Sequence, residues 1–196
     1  MSGSTRSNQG KSVVSGDQAG RDITKIYQFH SGSPLAELLE RFREELVNGN
    51  TTHADADELL FLTSPASGDA AREDLSSKLT SAQRGNEIED AIKQKELFRK
   101  LLERYKFHPS AAQLFTYLLS VLLERFRARV RPEINAGALN SQVDTAVSEH
   151  VVLPTVGELG GWVEFVQPVH LQGMIFFLTG VCRIRWDPDA DVQSRA

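Results

Sequence analysis

The side chains that most often bind metals or act as nucleophiles are widely separated in this sequence. They are His30, His53, His108, His150, His170 and Cys182. A zinc site gathers three or four such ligands, yet no two of these histidines follow a His-x-His or His-x-x-x-His pattern. We therefore expect no metal and no other cofactor. Cys182 is interpreted as a small buried thiol rather than as a nucleophile paired with His170.

A glycine-rich stretch near the N-terminus has the composition of a phosphate-binding loop. It reads Gly16-Asp17-Gln18-Ala19-Gly20. A P-loop, however, continues into Gly-Lys-Ser/Thr and a helix, whereas the residues from Ile23 to Phe29 alternate as in a strand. The pattern favours two short strands around a glycine turn over a nucleotide site. Farther along, Asp55, Asp57 and Glu58 lack the glycine and terminal glutamate of a calcium loop.

Charge is distributed unevenly along the chain. Residues 34–92 contain 13 acidic and 5 basic residues, whereas residues 93–131 contain 3 acidic and 10 basic residues. Such a division either draws helices together within one domain or presents a basic face to an anionic partner. We favour the first explanation.

Basic residues on two predicted helices are the candidates for nucleic-acid contacts. They are Lys93, Arg99, Lys100, Arg104, Arg125 and Arg129. Arginines at every second position from 125 to 131 spread around a helix instead of lining one face. Few aromatic residues lie between them for base stacking. Nucleic-acid binding through helices 93–131 is therefore the alternative function.

The first 32 residues divide into a polar tail and a possible self-association segment. Residues 1–12 are predicted to be disordered, and residues 13–32 to form a small β-ribbon that is too short to be stable alone. Such strands recruit other strands through their edges. The candidate self-association residues are Val14, Gly16, Asp17, Gly20, Arg21, Asp22, Ile23, Ile26, Tyr27 and Phe29. Whether they pair with another copy or with the body of the domain stays open.

Helical periodicity dominates the rest of the chain and predicts a mainly α fold of about six helices. The first begins at Ser33-Pro34 and ends at Asn48-Gly49-Asn50. The others are predicted at about 54–63, 69–83, 86–107, 109–130 and 138–152, with Pro132 and Pro154 as stops. The inward face of the fourth helix is predicted to contain Ile88, Ile92, Leu97, Leu101 and Tyr105, and that of the fifth Phe115, Leu118, Leu122 and Phe126.

The C-terminal stretch changes its hydrophobic period midway. Met174 to Leu178 is a continuous apolar run, typical of a buried helical turn, and Gly180 interrupts it. Residues 181–186 then alternate between apolar residues and arginines, which predicts a short strand with Ile184 and Trp186 buried. Together with the N-terminal ribbon this strand would form a minor β element. Residues 188–196 are predicted to be a disordered tail.

The composition of the chain indicates the cellular compartment in which we expect it. A single cysteine leaves no internal disulfide framework, which is typical of a reducing cytosol. Residues 1–30 lack the features of a secretory signal, and no run approaches the ~18–20 apolar residues of a membrane helix. We expect a cytoplasmic protein without membrane contact.

The segment from Gly173 to Trp186 resembles the ending of a C-terminal domain of bacterial ABC three-component system proteins. The start at Ser33-Pro34-Leu35 is similar to the beginning of that domain, and the segments 100–107 and 111–119 to its middle. The resemblance thus covers about residues 33–187, which we interpret as a helical interaction domain.

The resemblance implies a protein that works with a small middle component and an SMC/Rad50-like ABC ATPase in a bacterial conflict or anti-phage system. Family members usually carry a separate effector domain, but only about 33 residues precede the domain in this sequence. We therefore expect an oligomeric, non-enzymatic adaptor.

Overall fold

Helices make up the regular structure of the described part of this chain. The computed structural model describes residues 33–49, 57–65 and 74–189, and no β-strand occurs within those ranges. The α-helices are α1 (Pro34–Asn48), α2 (Asp57–Thr63), α3 (Leu75–Ser81), α4 (Ile88–Tyr105), α5 (Pro109–Arg125), α6 (Arg131–Asn135), α7 (Asn140–Val147), α8 (Leu153–Leu159) and α9 (Pro168–Gly180). The prediction of a mainly α fold is confirmed. None of the helices in the described ranges is long and apolar enough to cross a membrane.

Helix α1 begins and ends where its sequence predicts. The Ser33 side chain accepts a hydrogen bond from the Ala36 amide at 3.1 Å, and Gly49 ends the helix with a φ of +66°. Helix α1 also supplies a cap for α5, because the Glu45 carboxylate accepts two hydrogen bonds of 3.2 Å from the Ser110 amide. A carboxylate at this position satisfies an otherwise unpaired amide and opposes the positive end of the helix dipole.

Pro132 and Pro154 do not end the helices in which they lie, contrary to the prediction. A π-helical turn, Phe126–Val130, joins α5 to α6, and a second one, Ser148–Val152, joins α7 to α8. In each case the residue before the proline donates its amide to a carbonyl five residues back. A π-turn is wider than an α-turn and so accommodates a proline ring that would clash with the preceding α-turn. The helices therefore continue, which adds segments beyond the six predicted.

The core is centred on α5, as its apolar pattern predicts. Phe115, Leu118, Leu122 and Phe126 are each at most 1 % exposed, so the predicted inward face is confirmed. The predicted face of α4 is partly wrong: Ile92 and Leu97 are 42 % and 40 % exposed. Its buried side instead contains Ala91, Phe98 and Leu101. The spacing of apolar residues on α4 is compatible with burial of either of two neighbouring faces. Contact with α9 determines which of them is buried.

Helices α4 and α9 pack together closely at Gly173. A Cβ atom at this position would lie 2.2 Å from the backbone oxygen of Gln94 and 3.2 Å from the Cβ of Phe98. Glycine is therefore required here for close approach of two backbones rather than for a turn. This contact brings the C-terminal helix against the charged helix α4.

The short strand predicted for residues 181–186 is wrong. Cys182 has a φ of +62°, and the amides of Arg183 and Ile184 both donate to the Leu178 carbonyl at 2.8 and 3.2 Å. The backbone thus bonds to the end of α9 instead of to a neighbouring strand. The predicted burial is nevertheless confirmed, since Ile184 and Trp186 are 2 % and 7 % exposed while Arg185 is exposed.

Several predictions fall outside the described residues. They concern the disordered tail 1–12, the β-ribbon 13–32 with its ten self-association candidates, and most of the C-terminal tail. Of that tail, Asp189 is described, and its carboxylate accepts hydrogen bonds from Arg131 and from the Asn135 amide group. Its own amide donates to Asn135 at 3.0 Å.

Candidate interaction site

A buried arginine organises the region where α3, α4, α7 and the C-terminal segment meet. After α3 ends at Ser81, Gln83 adopts a left-handed φ of +59° and the Arg84 amide donates to the Leu79 carbonyl at 2.7 Å. This turn directs the Arg84 side chain into the protein, where it is 1 % exposed. A charged residue so deeply buried needs partners.

Arg84 has partners on two helices and an aromatic ring. Its Nη1 donates to both Glu87 oxygens at 2.8 and 2.9 Å and to Asp144 at 2.6 Å. Its Nη2 donates to the Asn140 carbonyl at 3.3 Å, and its guanidinium carbon lies 4.5 Å from the centre of the Trp186 ring. Two carboxylates and a cation–π contact together offset the desolvation of the guanidinium.

Trp186 is held in place from its other sides. Its indole N–H donates to the Thr179 hydroxyl at 2.9 Å, and that hydroxyl donates to the Ile175 carbonyl at 2.9 Å. The Phe126 ring meets it edge-on at 5.1 Å, and the Phe176 ring stacks at 6.1 Å. Trp186 is therefore fixed in position both by hydrogen bonding and by aromatic packing.

A cavity of about 360 Å³ opens beside this Arg84–Trp186 contact. We call it the α4–α9 cavity; its lining includes the acidic residues Glu87, Asp90 and Asp144 together with the apolar residues Ile175, Phe176 and Trp186. Gln94 also lines the cavity, and its buried side-chain oxygen has no hydrogen-bond partner within the described residues. The cavity therefore combines negative charge, aromatic surface and an unused acceptor.

A larger opening of about 760 Å³ lies between α2, α4, α5 and α9. Its apolar lining includes Leu102, Phe115 and Phe177, and its charged residues are of both signs. Arg99 and Lys100 lie there, with Arg99 paired to Glu96 at 3.1 Å. This opening therefore has no clear charge preference.

Several of the candidate nucleic-acid residues are paired with acidic side chains of the domain. Lys93 forms a salt bridge with Glu89 at 2.5 Å, and the same contact lowers the pKa of Glu89 by hydrogen bonding and charge. Arg125 donates to Thr155 at 2.7 Å and pairs with Glu158 on α8. Lys100, Arg104 and Arg129 are exposed. The positive charge of helices 93–131 is thus used in part within the domain. Among the described residues, the salt bridges that join it to other elements go to Glu158 and Asp189, however, and not to the acidic residues of α1 or α2.

Cys182 and His170 lie at opposite ends of α9, so the structure does not bring them together as the nucleophile pair that the sequence already disfavoured. The interpretation of Cys182 as a small buried thiol is confirmed only in part, because the residue is partly exposed. His170 caps the start of the helix, because its Nδ1 accepts a hydrogen bond from the Gln167 amide at 3.1 Å. Burial lowers the pKa of His170, and the nearby positive charge of Arg104 lowers it further. Cys182 is only partly buried, and the Lys78 amine contacts its sulfur at 2.8 Å while donating to the Gly180 carbonyl at 2.9 Å. Lys78 thereby caps the negative end of α9.

The residues that could bind metal are likewise dispersed. Across residues 33–49, 57–65 and 74–189, no group of three His, Cys, Asp or Glu side chains is arranged to hold a metal ion. His53 and Asp55 lie outside these ranges.

The comparison with known families decides where the chain belongs. A family model described as C-terminal domain 9 of the ABC-three component (ABC-3C) systems matches residues 74–186. The chain is a member of this family. We call the matched residues the CTD9 region; it starts at Asp74, the N-cap of α3, and ends at Trp186. No curated protein and no solved structure shows a significant match.

The CTD9 region contains every residue of the Arg84–Trp186 contact and of the α4–α9 cavity. The resemblance stated for the ending Gly173 to Trp186 is confirmed at the level of the family. Sequence reasoning missed Arg84, Gln94 and Asp144. The only local signal was the spacing of Arg84 and Glu87, three residues apart, which is equally typical of an exposed helical ion pair.

Proposed function

We propose that this chain is a non-enzymatic adaptor of an ABC-3C system, working with an SMC/Rad50-like ABC ATPase and a small middle component of the same system. The observation that carries the proposal is the CTD9 match over residues 74–186. A domain of a multi-component system has other components as its partners. In a bacterial anti-phage or conflict setting the adaptor would connect the ATPase with the response that it triggers.

The buried polar side chains of the described residues connect elements of the fold. Four polar residues of the described part are buried, namely Arg84, Ser110, Thr155 and Thr179. Ser110 bonds to Glu45 of α1, Thr155 accepts from Arg125, and Thr179 accepts from Trp186. Each of the four thus joins separate elements of the fold. These groups stabilise the domain, and the surface is left for partners.

The alternative function, nucleic-acid binding through helices 93–131, rests on four exposed basic residues that form no salt bridge within the described residues, namely Lys100, Arg104, Arg127 and Arg129. The other candidates Lys93, Arg99 and Arg125 are paired with Glu89, Glu96 and Glu158. The four remaining residues offer fewer phosphate contacts than the whole basic series, which makes an adaptor the better-supported function.

Co-elution with the system's ATPase tests the proposal. The full chain would be mixed with the ATPase encoded in the same system, with and without ATP, and analysed by size-exclusion chromatography with light scattering. A complex of defined mass is the expected result. The adaptor function would be refuted if the two proteins elute separately at micromolar concentrations in both nucleotide states, whether or not the middle component is present.

A further inference from the structure

We propose that the α4–α9 cavity receives a lysine or arginine side chain from another protein of the same ABC-3C system. This inference rests on the proposed adaptor function and names the point of contact. The cavity has the charge, the apolar surface and the size for one basic side chain.

The charge of the cavity favours a cation. Glu87, Asp90 and Asp144 line it, and none of the described residues in its lining is basic. Arg84 lies behind the lining, 1 % exposed, and neutralises part of the charge of Glu87 and Asp144. Asp90 forms no salt bridge within the described residues, and the next cation on α4, Lys93, is paired with Glu89. A net negative charge therefore remains at the opening.

The inner part of the cavity fits the stem and head of a long basic side chain. Phe176, Ile175 and the part of Trp186 that lines the cavity offer apolar surface against which the aliphatic stem of such a side chain packs. The Trp186 ring itself already contacts the Arg84 guanidinium and the Phe176 ring, so the charged head is bound by the carboxylates instead. The buried oxygen of Gln94 is an acceptor without a donor, and a buried unpaired acceptor costs stability until a donor reaches it. The Gln94 amide group must rotate to bring this oxygen to a guanidinium or ammonium group in the cavity, because the oxygen is inaccessible to solvent in this structure.

Size and position favour a single side chain of a partner protein. A volume of about 360 Å³ is at the lower end of the ~300–1,000 Å³ typical of small-molecule sites, and is too small for a whole helix. The cavity lies entirely within the CTD9 region. The larger opening, in contrast, is formed partly by Leu59 and Thr63 of α2, outside the CTD9 region. A contact shared by family members is therefore better placed in the α4–α9 cavity.

Binding of n-butylguanidinium to the full chain tests the cavity without knowledge of the partner. The probe would be titrated into ¹⁵N-labelled protein, with N-butylurea as an uncharged probe of similar shape. We expect saturating shifts of the Trp186 indole and Gln94 amide signals with n-butylguanidinium, and much weaker ones with N-butylurea. Asp90→Asn would weaken binding roughly 2- to 5-fold, the range for a single exposed charge. Glu149→Gln is the control and would leave binding unchanged, because Glu149 is exposed next to the lining residue Ser148 but is not itself in the lining.

Three results would overturn the inference. Equal shifts with both probes would show an apolar site, and equal effects of the two variants would show a non-local charge effect. Binding that appears only after deletion of residues 1–29 would show that this chain's own N-terminal segment occupies the cavity.

The co-elution experiment separates this inference from the adaptor function. If Asp90→Asn weakens the complex with the ATPase or the middle component and Glu149→Gln does not, both are supported. If the probe binds but Asp90→Asn leaves the complex unchanged, the cavity is not the contact, and the adaptor function stands without it. If no complex forms at all, the adaptor function fails first.

Discussion

The guanidinium carbon of Arg84 lies 4.5 Å from the centre of the Trp186 ring, although the two residues are near opposite ends of the CTD9 region. The contact joins the turn after α3 to the segment after α9. It also forms the inner wall of the α4–α9 cavity, because Trp186 belongs to the lining and Arg84 binds two of its acidic residues. Stability of the domain and the shape of the cavity thus depend on the same pair.

Arg84→Ala is expected to lower the free energy of unfolding by about 1.5–3 kcal/mol, because it removes the charged hydrogen bonds to Glu87 and Asp144 and the cation over Trp186. Urea denaturation measures the loss. The control is Arg41→Ala, whose salt bridge with Glu37 is exposed and worth at most about 1 kcal/mol. Similar losses for both variants would mean that the buried network adds no stability.

Gly173→Ala is expected to destabilise the domain by more than about 2 kcal/mol, since the added Cβ would lie 2.2 Å from the Gln94 backbone oxygen. Gly157→Ala in α8 is the matched control, because nothing lies within 4 Å of its Cβ position. Alanine there favours the helix by up to ~1 kcal/mol. Thermal denaturation of the two variants compares them directly. A stable Gly173→Ala variant would disprove the close approach of α4 and α9.

Truncation after Leu178 is expected to unfold the domain, whereas truncation after Pro188 keeps it folded. The shorter form loses Ile184 and Trp186, both buried, and the packing of Phe126 against the indole. The longer form loses only Asp189 and the residues beyond it, at the cost of the contacts with Arg131 and Asn135. Circular dichroism and urea titration distinguish the two. Equal stability of both forms would contradict the role of the C-terminal segment.

Tight sequence-specific DNA binding is not expected from the basic helices. Arg125 and Arg131 are paired within the fold, and Lys93 and Arg99 with neighbouring glutamates. Fluorescence anisotropy across a salt series measures the affinity. A dissociation constant below about 100 nM at physiological salt, in the range of specific binders, would favour the alternative function. In that case Arg127 and Arg129 are the first residues to replace.

Deletion of residues 1–29 is expected to abolish self-association of the chain. The segment has alternating apolar residues and glycine turns but is too short to form a stable sheet alone. Light scattering of the full-length and deleted forms over micromolar concentrations measures the effect. If both forms are monomeric throughout this range, the segment does not mediate self-association.

Local sequence patterns determined those features that depend on a few neighbouring residues. Helix α1 begins after Ser33 and ends at Gly49, as its sequence predicted, because both the N-terminal cap and the left-handed glycine at the C-terminus depend on local interactions. The burial of Ile184 and Trp186 followed from their alternation with arginines, even though no strand forms. The family resemblance likewise rested on the contiguous ending of the chain.

Tertiary structure alone decided the buried face of α4, the course of the chain past Pro132 and Pro154, and the position of Arg84. Ala91 and Phe98 are buried on α4 because α9 packs there at Gly173. The π-turns place each proline where the helix can continue. Arg84 is buried because Asp144 and Trp186, 60 and 102 positions further along, reach it in the fold. The partners that offset burial of a charge are distant in sequence, so local spacing cannot distinguish this arginine from an exposed one.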